Sequence, residues 1–513
     1  MNLSDFFEHW GIEENPFRGE EARHDAVFAR MAGLGAPGAN GPTATHSDFD
    51  KIIGEIDRPS ASVVFGEKGS GKTAIRMQIG DLVARRNSGK RTDRLMLVEY
   101  DDLNSSLERL HDTLGEKNAS DSLEKIRLSD HLDAILARAV TELVDALLGS
   151  SSRAVRLDLG PDARKQARAM DKALKHDLRL LQAVYDRDPH AGDRGAKLRR
   201  LLRVSKPMGV ALSKAAAVCG WLLPLAVVGF WIYKGMPDPD LAWYIAGGAA
   251  LAVWLVALAK RFLWDRVVRN SLARRLRRHT RMVDRTDMGF ADRLETLRRG
   301  QRSSEVLPLS DVDEHRYVLL AKLRAVLRHF GYSGLLVVID RVDEPTLVNG
   351  DADRMRSIIW PMLNSKFLQQ DGLGVKMLLP IELRYALFRE SSAFFQEARL
   401  DKQNLVERLS WTGSMLYDLC DARIKACLKD GGEPVSLLDL FAEDVTRQDL
   451  IDALDQMHQP RDAFKFLYRC LGEHCSNVTK EQGEFRVPRL VLETVRKQES
   501  ERVQQLYRGI RPG

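Results

Sequence analysis

Apolar positions along this chain fall into short continuous blocks and into longer stretches with helical spacing. Ser62-Val63-Val64-Phe65 is a β-favouring run that ends at Gly66, and the residues from Ala74 onward suit a helix. Residues 95–100 predict a second buried strand. Over residues 132–148, apolar side chains recur at Leu132, Ile135, Leu136, Ala139, Val140, Leu143, Val144 and Leu147, which predicts a core-facing helix. Residues 151–205 are densely charged with mixed signs and predict solvated helices. Tyr317, Leu320, Leu323 and Leu327 predict a helix that leads into the apolar run 335–339. A run of that kind suits a strand buried on both faces of a parallel sheet. Residues 375–379 are a further candidate strand, and the chain from about Trp411 reads as helical. At the start, residues 6–31 mix aromatics with Asn15-Pro16-Phe17, and the Gly/Pro-rich stretch 33–42 predicts a flexible joint.

Two blocks break this soluble pattern. Ala215–Tyr233 and Leu241–Ala259 carry no charge, and each has the length that spans a bilayer core. Only residues 234–240 separate them, with Pro237 and Pro239 suiting a tight turn. Trp221, Trp231, Tyr233, Trp243, Tyr244, Trp254 and Trp264 include several placed near the block ends, as interfacial aromatics often are. Arg194, Lys197, Arg199, Arg200, Arg203 and Lys206 flank the pair upstream; Lys260, Arg261, Arg266, Arg269 and Arg274 lead a longer basic run downstream. Because positive flanks stay on the cytoplasmic side, both ends of the hairpin are expected to face the cytoplasm.

Composition is consistent with one such hairpin on a soluble body. A chain of 513 residues has room for two or three domains, and 29% charged residues is too polar for a many-pass transporter. The net charge of +6 comes largely from arginines beside the hairpin, where topology and anionic headgroups explain them first. A nucleic-acid role is not favoured, because the run has little of the aromatic interleaving that single-strand binders use. Five cysteines without regular spacing argue against a disulfide framework. Cys470, His474 and Cys475 lie close together, but one cluster without a second ligand pair suits packing better than a metal. Residues 1–10 have no basic stretch of the kind that opens a cleaved signal peptide.

The chemistry is concentrated in two places. Gly66-Glu67-Lys68-Gly69-Ser70-Gly71-Lys72-Thr73 matches the phosphate-loop pattern known as Walker A in full, with an apolar strand before it and a helical run after it. Glycines let the backbone N–H groups converge on one anion at the start of a helix. Lys72 is placed to reach terminal phosphates, and Thr73 to offer its hydroxyl to Mg²⁺. Such a loop needs carboxylates for the magnesium and for water. Leu335-Leu336-Val337-Val338-Ile339-Asp340 supplies the first, with Asp343 and Glu344 just beyond. Asp340 is expected to hold Mg²⁺ through water, and Glu344 or Asp343 to orient the attacking water.

Asp340-Arg341-Val342-Asp343-Glu344 resembles the Walker B element of the STAND signalling NTPases, particularly the NACHT and KAP groups. KAP-type NTPases tend to carry transmembrane segments between the two Walker elements, as this chain does. Arg341 departs from the usual KAP pattern, which has a second acid directly after the first. Gln459-Pro460-Arg461 resembles the Pro-Arg element of AAA-like lids, which implies Arg461 as a sensor of the terminal phosphate. Gly11-Ile12-Glu13-Glu14-Asn15-Pro16-Phe17 is similar to the opening of bacterial AAA ATPases of the ExeA type.

The fold expected is therefore α/β: a P-loop NTPase (ASCE/AAA-like) parallel sheet with a helical lid and an inserted two-helix transmembrane hairpin. The expected division is an N-terminal segment and first half of the NTPase domain over 1–150, and a charged helical insertion over 151–305 that contains the hairpin 215–259. The second half of the core then covers 306–410 and the lid 411–513. The expected function is a Mg²⁺-dependent, membrane-anchored ATPase of a bacterial inner membrane, with ATP and Mg²⁺ bound and both termini cytoplasmic. It would act as a homo-oligomeric conformational switch in signalling or defence. The alternatives are a membrane-bound motor or loader and a scaffold that binds nucleotide without turnover. Arg384, Arg389, Arg399 and Arg408 are candidate arginine fingers, with nothing local to choose among them.

Overall fold

A computed structural model describes the chain apart from residues 19–20, 33–44, 91, 150–156, 188–190, 206–207, 235–240, 304–305, 389–403, 430, 432 and 508–513. The expected joint at 33–42 and most of the hairpin turn lie outside the described residues. The chain is mixed α/β and divides into two compact units, Met1–Asp102 with Leu335–Gly513, and Leu103–Gly334.

The first unit is built on a five-stranded, all-parallel sheet. Its strands are β1 (Ser62–Gly66), β2 (Arg94–Tyr100), β3 (Tyr332–Ile339), β4 (Leu373–Pro380) and β5 (Asn404–Val406), in the order β2-β3-β4-β1-β5. Val63 stands opposite Met377 on one side and Leu405 on the other, and Val337 opposite Val375. A central strand with neighbours on both sides favours apolar residues, and β1 and β4 are buried along their whole length, with Lys376 of β4 donating to the Ile53 carbonyl at 2.8 Å. Helix Lys72–Asn87 sets Ile75, Ile79 and Val83, at i, i+4 and i+8, against Val64, Leu336, Val338 and Leu378 of the sheet. The short edge strand β5 has no counterpart in the sequence reading.

Four helices, Gly413–Ala426, Arg447–Asp455, Pro460–Asn477 and Arg489–Tyr507, make up the C-terminal part of this unit. The Thr412 and Thr446 hydroxyls cap the first two, each satisfying a free backbone N–H. Their shared core also takes in Phe6, Phe7, Ile12 and Phe17, so the N-terminal segment packs with these C-terminal helices. Cys470 and Cys475 are buried there, and His474 Nε2 lies 3.0 Å from the Glu484 carbonyl oxygen.

The second unit is helical. Helix Leu128–Leu148 buries all eight apolar positions anticipated from its spacing. The charged stretch after it differs from the solvated helices expected: in Lys172–Tyr185 the half from Leu178 to Tyr185 is buried. Its neighbours are helices Leu128–Leu148 and Glu314–His329, joined by ion pairs that are themselves buried. Arg316 Nη2 lies 3.1 Å from Asp133 Oδ2, with both side chains fully enclosed, and Tyr185 donates to Asp133 Oδ1 at 2.7 Å. Arg281 pairs with Asp130, and Arg194 bridges Asp186 and Asp145. Charge in this stretch serves packing, and that also explains why the unit begins at Leu103 and ends at Gly334 instead of the expected 151 and 305. Helices on either side of those expected limits share one interior.

Two helices of this unit are long and apolar enough to cross a membrane, Ala215–Tyr233 and Trp243–His279, and almost none of the residues in the most apolar stretch of each is buried. The first has a joint at Gly220 and Trp221, between helices Met208–Cys219 and Leu222–Tyr233. Pro224 falls in the first turn of the latter, where its missing N–H costs no helical bond. The second helix does not stop at Ala259. It runs through a π turn, Lys260–Trp264, into helix Asp265–His279.

Candidate functional site

The loop between β1 and helix Lys72–Asn87 turns on two glycines, Gly69 with φ +98° and Gly71 with φ +93°. Residues with a Cβ rarely adopt this backbone, and alternating hands of this kind aim successive N–H groups at a common point. Lys72 folds back over the loop, donating to the carbonyls of Gly66 at 2.7 Å and Glu67 at 2.9 Å. Burial pushes its ammonium below the usual lysine range, opposed by the nearby charges of Asp343, Asp340, Glu382 and Glu67. Ser70 is fully enclosed, and its hydroxyl has no hydrogen-bond partner among the described residues. Lys68 is exposed at the mouth.

Asp340, at the end of β3, comes to the start of the same helix. Thr73 Oγ1 donates to Asp340 Oδ2 at 3.2 Å across a sequence gap of 267 residues. Burial raises the proton affinity of Asp340, and Arg76 and Lys72 oppose it. Arg76 Nε stands 3.6 Å from Asp340 Oδ2, and the same guanidinium binds Asp101, which also accepts from Arg23 at 2.7 Å. Arg76 had escaped the sequence reading, though its place one turn after Thr73 on the same helix face was a usable signal. The hydroxyl and carboxylate together form an all-oxygen donor pair of the type a hard divalent cation takes.

Asp343 and Glu344 follow on the turn after β3. Glu344 is half exposed and paired with Arg341 Nη1 at 3.0 Å, while Arg341 Nη2 reaches Glu21 at 3.1 Å. Arg341 has φ +61°, a strained backbone for a residue with a side chain, of the sort that accumulates at functional sites. Burial raises the Glu344 pKa, Arg341 lowers it, and Asp343 and Asp340 raise it further. Arg341, the residue that departs from the KAP pattern, is thus the one paired with Glu344.

Gln459 and Arg461, at the start of helix Pro460–Asn477, lie against the loop from the other side. A Cβ at Gly69 would stand 2.9 Å from Arg461 Cβ and 3.0 Å from Gln459 Oε1. Gln459 also binds Glu67, whose carboxylate pairs with Arg408 at 2.6 Å. Trp411 donates from its indole to the Ser70 carbonyl at 2.9 Å, and its ring meets His46 edge-on at 4.8 Å. No local pattern marked Trp411 or His46. Of the finger candidates, Arg408 is engaged with Glu67 and Arg384 with Glu407, while Arg389 and Arg399 lie outside the described residues.

These walls enclose a cavity of about 880 Å³. The loop, Asp340, Asp343, Glu344 and Arg461 line one part; Phe28, Met31, Leu419 and Phe464 line an apolar part beside the Asp25–Arg423 ion pair. The cavity lies at the carboxyl ends of the parallel strands, where the chain order in the sheet reverses, which is where open α/β sheets bind their ligands. An anion-cradling loop, a hard-cation donor pair and an apolar wall fit a nucleoside polyphosphate carrying a divalent metal. Comparison of the chain with known protein families, with curated proteins and with solved structures finds no match.

Proposed function

We propose that this chain is a Mg²⁺-dependent ATPase of the P-loop class, held in a membrane by its helical hairpin, with the nucleotide site on the cytoplasmic side. The observation that carries the reading is the hydrogen bond between Thr73 and Asp340. Two residues so far apart in sequence, each required by the same metal-nucleotide chemistry, meet beside a loop whose glycines have the backbone that phosphate binding needs. Bound Mg²⁺ would neutralise charge on the β- and γ-phosphates. Lys72 would leave the loop carbonyls for the phosphates, Glu344 or Asp343 would orient water, and Arg461 would sense the terminal phosphate. The apolar wall at Phe28 and Phe464 would receive the base.

The resemblance of the acidic element to the KAP and STAND groups supports a switch that cycles slowly and self-associates, in bacterial signalling or defence. The ion pair between Glu344 and Arg341 favours that reading over a motor. A carboxylate already paired with an arginine does not activate water until the pair is opened, so turnover in this state is held low. The membrane part rests on the two apolar helices, whose exposed side chains favour a bilayer over a hairpin buried in a soluble core. Detergent-solubilised protein is expected to bind ATP and to release phosphate only with Mg²⁺ present. ATP binding without phosphate release would favour the scaffold instead, and no binding at all would defeat the proposal.

A further inference from the structure

We infer that the membrane contact continues past Ala259 to Val268, forming a foot at headgroup level on an anionic leaflet. This rests on the membrane reading above and adds to it a surface and a lipid class. Beyond the uncharged block, Phe262, Leu263, Trp264, Val267 and Val268 remain between 49% and 69% exposed. A water-facing helix next to the positions of Arg261, Arg266 and Arg269 would place arginines outward and apolar groups inward. Here Arg261 and Arg269 turn inward while the apolar groups stay outward, with Lys260 and Arg266 exposed among them.

Arg261 and Arg269 both turn to one carboxylate, Glu295 at the end of helix Asp287–Glu295, Arg261 at 2.7 Å and Arg269 on the other oxygen. In a regular α-helix residues eight apart point about 80° away from each other, at 3.6 residues per turn. The π turn at Lys260–Trp264 is wider and takes up part of that angle, which brings the two arginines toward the same side. Both guanidiniums are thus held against the protein by one shared carboxylate, and the opposite face presents Leu263, Trp264 and Val267.

After Asn270 the outward face changes character. Arg274, Arg275, Arg277 and Arg278 are exposed, whereas Ala273 and Leu276 face the interior. Along one continuous helix the outward side therefore passes from mainly apolar, with Lys260 and Arg266 among it, to dominated by arginine, the order of layers met on leaving a bilayer through its headgroups. The stretch from Ala259 to Val268 adds roughly 13 Å at about 1.5 Å per residue. That is comparable to the depth an interfacial amphipathic segment occupies, and the arginines that follow fall where anionic phosphates lie.

Spin-label accessibility in lipid nanodiscs tests this on the full-length chain lacking Cys219, the exposed cysteine among the five. Single labels would be placed at Val228 in the span, at Leu263 and Val267 in the foot, and at Arg275. In phosphatidylglycerol-containing discs, oxygen is expected to reach the labels at 228, 263 and 267 in preference to a water-soluble nickel reagent, and the reverse at 275. Replacing phosphatidylglycerol by phosphatidylcholine should move 263 and 267 toward water and leave 228 unchanged. If 228 reads as lipid while 263 and 267 read as water in both discs, the foot is overturned and the span survives. If 228 also reads as water, the membrane reading itself falls. Equal depth of 263 in the two lipids would overturn the anionic preference. A Glu295→Gln variant supplies a second check, since freeing Arg261 and Arg269 should make 263 shallower.

Discussion

Arg461 lies directly on Gly69: a Cβ at Gly69 would come within 2.9 Å of Arg461 Cβ and 3.1 Å of its Cδ. Helix Pro460–Asn477 thus begins at the point where the glycine-rich loop has no side chain. Gly69→Ala combines that collision with a backbone of φ +98°, and a left-handed residue bearing a Cβ costs about 1–2 kcal/mol. ATP affinity should fall by about tenfold or more. Arg461→Ala leaves the loop intact and should slow phosphate release while ATP affinity changes by only a few-fold. Equal turnover in wild type and Arg461→Ala would remove the sensor role.

Lys72→Ala removes the one loop cation drawn toward the β/γ-phosphates. Tight ATP binding should be lost, by roughly a hundredfold, because hydrogen bonds to charged groups contribute up to ~3 kcal/mol. Isothermal titration of both proteins with ATP and Mg²⁺ measures the difference, and equal affinities would sink the phosphate-loop assignment.

Glu344→Gln should retain ATP and slow hydrolysis by about 10²–10⁴, the usual contribution of a positioned base. Asp343→Asn is the control; if it alone stops turnover, Asp343 is the base. Burial raises the Glu344 pKa, so the working carboxylate form is lost at a higher pH than for an ordinary glutamate as pH falls. Arg341 holds that pKa down, and Arg341→Ala should therefore move the acidic limb of the rate profile to still higher pH. A limb that stays in place would disconnect Glu344 from the rate.

Arg316→Ala leaves Asp133 fully enclosed with its cationic partner gone. Breaking a buried pair in this way costs about 3–5 kcal/mol. Thermal unfolding followed in detergent should show the helical unit melting markedly earlier, while ATP binding below that transition is retained. An unchanged melting temperature would mean that the pair is not structural.

Topology is read by thiol labelling in cells. A cysteine at Gly235, in the hairpin turn, should react with an impermeant reagent added outside the inner membrane, and one at Gly331 should not. Labelling at Gly331 without Gly235 would invert the orientation.

The glycine-rich loop, the acid at the end of a buried strand and the two apolar helices were legible in the chain because each is a local pattern. Glycine spacing, an unbroken apolar run ending in Asp340, and uncharged blocks of bilayer length need no knowledge of what lies nearby in space. Helix Leu128–Leu148 was legible for the same reason, since its period alone reports one buried face. The tertiary structure decided everything that depends on distant neighbours. It set Thr73 on Asp340, packed Phe6 and Phe17 among the C-terminal helices, and placed Trp411 against the loop. It also drew the division between units at Leu103 and Leu335, because arginines and aspartates that read as solvated charge neutralise one another inside a helical interior. Charge in a sequence carries no mark of its partner, and three-residue strands such as β5 are too short to show a period. Both acquire meaning only when the chain brings the second side chain, or the neighbouring strand, into contact.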